Sequence, residues 1–227
     1  VVRSVVDIDP AEAIDAGSEL DMHPGGAYTA MTWSPDGRTL AFIGVKGALR
    51  QVYLRALDRD AARPLDGTEG ARCLAFSPDG EWIAFWANGQ VRKVRVAGGP
   101  PTKICDAGVV DGIAWGSSRF VYAALRQLLE VSPDGGEPRA LVESKVLITT
   151  PHLLPGDTAV LYTEHAKAWT SGDERVMVLS LAPGGVPETL LAEAADARYL
   201  PTGHLAFFRQ GTVFVVPFNT KTLRVAP

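Results

Sequence analysis

The chain has no concentration of positive charge and few of the residues from which metal and redox sites are built. Its 227 residues carry a net charge of −4 and include only two cysteines and four histidines. Nucleic-acid binding depends on lysines and arginines that neutralise phosphates, so the missing basic block argues against it. Binding to an anionic membrane surface needs a similar polybasic stretch, which is also missing.

Long hydrophobic runs are missing as well. A membrane-spanning helix needs at least about 18 apolar residues, whereas residues 205–208 and 213–218, the longest apolar runs, have the length of a β-strand. Helical periodicity is nearly absent, and we expect its one candidate, residues 9–20, to be a loop with at most one helical turn. The sequence therefore predicts no direct membrane insertion of this segment.

Signatures of common catalytic sites are also absent. The chain contains no Gly-x-Ser-x-Gly, no His-Glu-x-x-His, no phosphate-binding P-loop and no Rossmann glycine pattern. The four histidines lie in unrelated contexts without the spacing of metal ligands. We therefore expect no enzyme activity from this chain, with no catalytic residues, no metal and no cofactor.

What the sequence does contain is an internal repeat. The two best copies are residues 33–42 (WSPDGRTLAF) and 76–85 (FSPDGEWIAF), and weaker copies begin at Trp115, Leu153 and Tyr199. The first residues of the five copies, here called anchors, are 43, 39, 38 and 46 residues apart. This is the period of a propeller blade made of four short strands.

The turn residues explain how each copy folds. In Ser-Pro-Asp-Gly, proline presets φ, serine and aspartate bond to the local backbone, and glycine accepts positive φ. The sequence therefore predicts an all-β protein: a β-propeller of four-stranded antiparallel blades, with five repeats visible and a sixth missing or incomplete. An N-terminal strand and linker are predicted in residues 1–26. The predicted blades comprise residues 27–69, 70–108, 109–147, 148–194 and 195–227.

The chain ends leave the closure of the ring open. Residues 1–8 (VVRSVVDI) have the pattern of one strand, which is not enough for a sixth blade. Three arrangements remain: a five-blade ring completed by that strand, an open six-blade ring with a gap, and pairing of open edges between two chains. Because an exposed strand edge is a template for association, we expect self-association through open blade edges or marginal stability unless the strand closes the ring. We also expect the chain, which begins without methionine, to be an excerpt of a longer protein or a processed product.

Alternation along the first strand of each blade predicts which side chains face the channel. Each anchor and the residue two positions before it should pack between blades. The residue directly before the anchor, and the one two positions earlier again, should face the central channel, and most of these residues are small. The exceptions are His152, Arg198 and Asp196, with Arg72 and Asp111 one step outside. These five residues are candidates to ring a channel mouth and bind a small ligand, a peptide end or an ion. The alternative is a water-filled channel in which the polar groups are solvated or paired, with Arg198 pairing with Asp196.

Two further features concern a loop and the cysteines. Trp169 lies in residues 164–174, the longest insertion within a blade. An exposed tryptophan in a long loop is a candidate for contact with a partner; the alternative is a ring that folds back on its own blade. Cys73 falls on an innermost predicted strand and Cys105 on an outermost one, which favours two free thiols over a disulfide.

The hairpins carry a family resemblance. Ser-Pro-Asp-Gly followed by an aliphatic and aromatic strand resembles the WD-repeat-like propeller repeats of TolB and its relatives, and the non-catalytic propellers of prolyl-oligopeptidase-type enzymes. Residues 54–85, 94–99 (VRVAGG) and 199–206 (YLPTGHLA) are more similar to the propeller region that follows the kinase domain in bacterial serine/threonine protein kinases. The resemblance covers about residues 27–225.

The resemblance implies a sensor or scaffold module that binds a protein or peptide. Its implied setting is extracytoplasmic, attached through a membrane segment to a signalling enzyme. Kinase motifs are absent from the chain itself, so any kinase activity would belong to another part of the protein. Two alternatives are an envelope transport or assembly component like TolB, and the gating propeller of a peptidase whose hydrolase domain lies elsewhere. Relatives of this type usually close with six blades, whereas five repeats are visible here.

Overall fold

The computed structural model describes residues 6–15, 29–166 and 172–226. Over these residues the chain forms five antiparallel sheets that succeed one another along the sequence and are arranged as a five-blade propeller. In the same part of the chain the one helical segment is a short 3₁₀ turn, Pro155–Asp157. The predicted all-β propeller with four-stranded antiparallel blades is confirmed.

The strands are numbered β1 to β21 along the chain. The first blade contains β1 to β5: Ala13–Ile14, Met31–Trp33, Thr39–Lys46, Leu49–Ala56 and Arg63–Pro64. The second contains β6 to β9: Arg72–Phe76, Trp82–Ala87, Gln90–Arg95 and Thr102–Asp106. The third contains β10 to β13: Gly112–Trp115, Phe120–Ala124, Gln127–Val131 and Arg139–Glu143. The fourth contains β14 to β17: Leu147–Leu153, Ala159–His165, Glu174–Ser180 and Pro187–Ala192. The fifth contains β18 to β21: Ala195–Leu200, His204–Arg209, Thr212–Asn219 and Arg224–Val225.

The Ser-Pro-Asp-Gly turns fold as their residues predict. Ser34 Oγ donates a hydrogen bond to Asp36 Oδ1 at 2.6 Å, and the backbone N–H of Arg38 donates to the same oxygen at 3.0 Å. The pattern recurs in the second blade at Ser77 and Asp79. In both turns the serine hydroxyl is the main cause that lowers the pKa of the aspartate. Hydrogen bonds to the ionised carboxylate stabilise it and so keep the turn charged and closed.

Apolar clusters join each blade to the next. The anchors Phe76, Trp115, Leu153 and Tyr199 each lie in the cluster that their blade shares with the preceding blade, as predicted. Trp33 is the exception, because it lies in none of these clusters and is 48% exposed. The prediction that every anchor packs between two blades is therefore wrong for the first repeat.

The N-terminal residues lie on the first blade in a way the sequence does not predict. Ala11 packs against Phe42 and Tyr53, with Val6 and Ile8 alongside. Residues 6–8 are not in a strand, and residues 1–5 lie outside the described part. A strand that the sequence does not predict, β1, pairs with β3 beside β2. The apolar side chains of residues 6–8 thus cover a sheet face, where a strand pairing was predicted.

The innermost strands are interrupted by bulges. Three positions before the anchors, Cys73, Thr150 and Asp196 have left-handed φ angles of 48°, 47° and 49°, and the pairing register shifts at each of them. The third blade has Gly112 at this position. A bulge breaks the regular alternation of a strand. Residues before it therefore do not share a face with residues after it.

Polar groups at the bulges tie the blades together near the axis. The backbone N–H of Thr150 donates to the carbonyl of Asp111 at 3.2 Å, linking the fourth blade to the third. The N–H of Asp196 donates to Thr163 Oγ1 at 2.9 Å, linking the fifth blade to the fourth. These bonds satisfy backbone groups that the bulges remove from the ladders.

Both cysteines are buried free thiols, as predicted. Cys73 Sγ donates to the carbonyl oxygen of Val110 at 3.1 Å, a contact between the second and third blades. Burial is the main cause that raises the pKa of each thiol. Because the reactive form of cysteine is the thiolate, both residues act here as packing groups.

The substitution Gly112→Ala should destabilise the propeller. An added β-carbon would lie 2.5 Å from Pro151 Cδ and 2.9 Å from the backbone nitrogen of Thr150, and this backbone cannot move without separating the third and fourth blades. We expect the free energy of unfolding in urea to fall by about 1–3 kcal/mol. Gly108→Ala is the control, because nothing lies within 4 Å of the added carbon there. Equal stability of the two variants would contradict this close packing.

Candidate functional site

The inner strands surround a cavity of about 610 Å³, here called the funnel. It opens where the hairpins between the first and second strands of the blades lie. The residue before each anchor lines it in every blade: Thr32, Ala75, Ala114, His152 and Arg198. The predicted orientation of these positions toward the channel is confirmed. The volume lies in the range of about 300–1,000 Å³ that is typical of ligand sites.

Aromatic and proline rings line the outer part of the funnel. Trp115 is fixed edge-on against Phe120, with ring centroids 5.4 Å apart, whereas Trp33 is half exposed. The hairpins add the rings of Pro35, Pro78, Pro155 and Pro201. Such side chains lose little conformational entropy on binding, and tryptophan is enriched among the residues that dominate protein recognition.

Arg198 lies in the inner part of the funnel and is held in place on two sides. Its Nε donates to Asp196 Oδ1 at 2.7 Å, and its Nη2 lies 2.6 Å from the same oxygen. Nη2 also donates to Thr29 Oγ1 at 3.0 Å, which joins the fifth blade to the residues just before β2. The predicted pairing of Arg198 with Asp196 is confirmed. Within the described residues Nη1 has no protein partner, so its two N–H groups are available to an oxygen of a ligand.

His152 is held neutral by its surroundings. Its Nε2 accepts the backbone N–H of Tyr199 at 3.1 Å, which assigns the ring proton to Nδ1. Desolvation, and after it the charge of Arg198, lowers the pKa of His152 from 6.5 to about 3. Because its acceptor nitrogen is occupied, His152 is not placed to take a proton from a ligand. Its role is to join the fourth and fifth blades.

Arg72 and Asp111 lie away from the funnel, toward the other end of the inner strands. The guanidinium of Arg72 stacks on Trp86, 5.9 Å from the ring centroid. Asp111 is buried and accepts the backbone N–H of Leu125 at 3.3 Å. Arg72 precedes the bulge of β6, where period-two alternation ceases to apply. Asp111 lies just before Gly112, the first residue of β10.

The structure therefore brings together three of the five predicted channel residues, His152, Arg198 and Asp196. Whether they bind a ligand stays a prediction. Trp169, the loop candidate, lies outside the described residues. The predicted site does not include Trp33 and Trp115, which line the funnel, because the sequence pattern predicts that tryptophan anchors pack between blades. The pattern fails at the first repeat, where Trp33 lies in none of the clusters between blades.

The described residues enclose a second cavity but hold no metal cluster. A second cavity, of about 720 Å³, lies between the third and fourth blades, lined by residues 124–127, 143–147 and 165–166. In residues 6–15, 29–166 and 172–226 no group of three or more histidine, cysteine, aspartate or glutamate side chains is placed to hold a metal ion. No helix in these ranges combines the length and the hydrophobicity that crossing a membrane requires.

Comparison with protein families and curated proteins does not assign this chain to a family. No family model matches the chain. A segment of 84 residues is 31% identical to the uncharacterized protein Atu1656 of Agrobacterium fabrum (strain C58), covering 35% of this chain and 29% of that protein. The match thus spans less than a third of the length of that relative.

Solved structures share the fold at low sequence identity. TolB from Agrobacterium tumefaciens superposes with a TM-score of 0.67 at 17% identity, covering 87% of this chain and 78% of that one. TolB from Acinetobacter baumannii superposes with a TM-score of 0.63 at 14% identity, covering 81% of this chain and 52% of that one. Oligogalacturonate lyase from Vibrio parahaemolyticus superposes with a TM-score of 0.65 at 16% identity, covering 88% of this chain and 65% of that one. At these identities the likeness shows a TolB-like propeller fold and leaves the function of this chain to its own residues.

The desolvated, half-buried His152 should make stability depend on pH. Its pKa is about 3 in the folded chain, against about 6.5 when unfolded, so below pH 6.5 the unfolded state binds the proton preferentially. The contribution of the neutral His152 to the free energy of unfolding is complete above pH 6.5. It should fall by up to about 2 kcal/mol between pH 6.5 and 5. In urea unfolding at pH 7 and pH 5, His152→Gln should lose less stability than the wild type. The hairpin variant His204→Gln is the control and should behave like the wild type, and an equal loss in His152→Gln would refute this assignment.

Proposed function

We propose that this chain is a non-catalytic binding module whose funnel receives part of a protein or peptide partner. The observation that carries the proposal is that inner strands of all five blades converge on one cavity with an aromatic lining. Trp33 and Trp115 offer apolar surface, and the free N–H groups of Arg198 offer a site for a carbonyl or carboxylate oxygen. This combination suits a peptide end or loop with an aromatic or aliphatic side chain.

The charges of the funnel favour such a partner over a multiply charged anion. The guanidinium of Arg198 is already paired with Asp196. Asp157, which also lines the funnel, accepts the backbone N–H of Ser118 at 2.6 Å and is buried. A nucleotide or phosphate entering this space would lose hydration without meeting an excess of positive charge, which costs free energy. An uncharged or singly charged group meets no such penalty.

The hydrogen bonds in the funnel support a non-catalytic role. The acceptor nitrogen of His152 is taken by Tyr199, and the hydroxyl of Ser77 donates to Asp79 within its own hairpin. Nucleophilic catalysis needs a hydroxyl or thiol within reach of a free base. His152 and Ser77 are both engaged in holding the blades and hairpins, so they do not form such a pair.

We further propose that the module is the sensor or scaffold part of a bacterial serine/threonine protein kinase, with an extracytoplasmic location. This rests on the resemblance of residues 54–85, 94–99 and 199–206 to the propeller region of those kinases. Sequencing the gene around this segment tests it: a kinase domain and a membrane span upstream are expected. A signal peptide without a kinase would point to an envelope component like TolB, and a downstream hydrolase domain to a gating propeller.

Peptide selection tests the proposed binding site. Peptides selected from a random phage-displayed library against the immobilised chain should bind the purified protein, as measured by titration of intrinsic tryptophan fluorescence and by calorimetry. Because a central tryptophan in an interface contributes at least about 1.4–2 kcal/mol, Trp33→Ala should weaken binding about tenfold or more.

Trp82→Ala is the matched control for this experiment. Trp82 is partly exposed on the second blade, with Arg95 stacked 4.5 Å from its ring centroid, and it does not line the funnel. Its substitution should leave peptide affinity unchanged. Undiminished binding to Trp33→Ala, or an equal loss in Trp82→Ala, would reject the funnel as the binding site.

A further inference from the structure

The second cavity, of about 720 Å³, is separate from the funnel and is here called the blade 3–4 cavity. Its walls come from three segments: the turn between β11 and β12, the connection from β13 to β14, and the end of β15. The funnel is bordered instead by the turns that join β10 to β11 and β14 to β15. The two cavities therefore lie at opposite ends of the inner strands, and they share no lining residue.

Hydrogen bonds between the third and fourth blades hold the walls of this cavity in place. The backbone N–H of Ile148 donates to the carbonyl of Leu125 at 2.7 Å, and that of Ser144 donates to the carbonyl of Arg126 at 2.8 Å. The hydroxyl of Ser144 donates to Glu164 Oε1 at 3.0 Å. The turn of the third blade is thus clamped to the start of the fourth, and the cavity is formed before any ligand enters, as is usual for ligand sites.

Two positively charged side chains line the cavity at this clamp. Arg126 lies on the β11–β12 turn, and Lys145 directly follows Ser144, whose backbone is bonded to that of Arg126. Both side chains are exposed, and within the described residues neither forms an ion pair with a carboxylate. Like charges held this close repel each other, so an anion between them would be stabilised by both.

The carboxylates near the cavity are already bonded to other groups. Among the described lining residues the one carboxylate is that of Glu143, which accepts a hydrogen bond from Gln127 Nε2 at 3.3 Å. Glu164 does not line the cavity and is paired with Arg175 at 3.0 Å. The described lining therefore carries one excess positive charge, although the chain as a whole has a net charge of −4.

The preceding interface, between the second and third blades, has the same backbone framework without these charges. Strand pairing aligns the β7–β8 turn with the β11–β12 turn. The backbone N–H of Ala107 donates to the carbonyl of Gly89 at 2.9 Å, in the same place as the bond accepted by Arg126. Gly89 thus takes the place of Arg126. Gly108 takes the place of Lys145, and nothing lies within 4 Å of a β-carbon added there. The fold therefore does not require a charged side chain at either position.

The rest of the lining is apolar or neutral. Leu125 is 49% exposed, and Val146 and Leu147 are half-buried beside it. His165 is hydrogen-bonded through Nε2 to Thr149 Oγ1 at 2.9 Å, and burial is the main cause that lowers its pKa. Because His165 is neutral at pH 7, it adds no charge. The lining thus combines apolar surface with the two cations.

We propose that the blade 3–4 cavity binds a small organic molecule with one negative charge, a carboxylate or a sulfonate, and an apolar body. The charged group lies between Arg126 and Lys145, since a guanidinium donates paired hydrogen bonds to such oxygens. The apolar body covers Leu125 and Val146, which removes apolar surface from water. A ligand with several negative charges fits less well, because Glu143 would repel it.

Titration with 8-anilinonaphthalene-1-sulfonate tests this proposal. This dye has one sulfonate on an aromatic body, and its fluorescence rises when it leaves water. N-phenyl-1-naphthylamine has the same rings without the sulfonate and is the uncharged counterpart. From the affinity per atom of ligands of this size, we expect the wild type to bind the sulfonate with a dissociation constant of about 10–100 µM. Arg126→Gln and Lys145→Gln should each weaken this binding about two- to fivefold, and the double variant about tenfold.

Lys103→Gln is the matched control for the loss of a positive charge. Lys103 Nζ donates to Asp106 Oδ2 at 2.9 Å in the second blade and does not line the cavity, so this variant should bind the sulfonate like the wild type. Raising the salt concentration from about 50 to about 500 mM should weaken binding to the wild type more than to the double variant, because salt screens the two cations. Trp33→Ala should bind like the wild type, which separates this site from the funnel.

Four results would overturn the proposal. Absence of sulfonate binding to the wild type would show that the cavity takes no such anion. Unchanged affinity in the double variant would place the dye on another surface. An equal loss of N-phenyl-1-naphthylamine binding in that variant would show that charge does not select the ligand. Loss of sulfonate binding in Trp33→Ala would place the site in the funnel. Circular dichroism checks that each variant is folded.

Discussion

The fold depends on one contact repeated around the ring, in which anchors of one blade pack on the apolar side of the preceding blade. A four-stranded sheet of this size has two apolar faces and cannot bury them alone. Stacking the blades radially buries both, and it also fixes the funnel. Because side chains alternate along a strand, placing Phe76 and Trp115 between blades turns the residues before them, Ala75 and Ala114, toward the axis.

The bulges near the axis are the second constraint, and they explain the position of the ionic group. Left-handed φ at Cys73, Thr150 and Asp196 costs roughly 1–3 kcal/mol per residue. Hydrogen bonds between blades offset this cost: the N–H of Asp196 donates to Thr163. Asp196 is thereby held where its carboxylate receives Arg198, so the orientation of the Arg198 guanidinium in the funnel follows from a backbone irregularity.

Much of this architecture could be predicted because the determining signals are local. The Ser-Pro-Asp-Gly turns and the anchor spacing identify five blades, and alternation after the bulge correctly places His152 and Arg198 in the funnel. The separate location of Arg72 could not be predicted, since the bulge at Cys73 carries no residue pattern shared by the repeats. The location of Asp111 could not be predicted either, because β10 begins only after it, at Gly112. The packing of residues 6–8 could not be predicted for a different reason: an apolar segment that covers a sheet face has the same composition as one that pairs with an edge.

Trp33 connects the fold and the proposed binding site. It has the residue type of a packing anchor, but in the first repeat it is about half exposed and borders the funnel. On the same blade the N-terminal residue Ala11 covers Phe42 and Tyr53. The indole that packs between blades in the third repeat, at Trp115, is therefore available to a partner in the first, which is why Trp33 is the side chain on which the proposed peptide binding depends most.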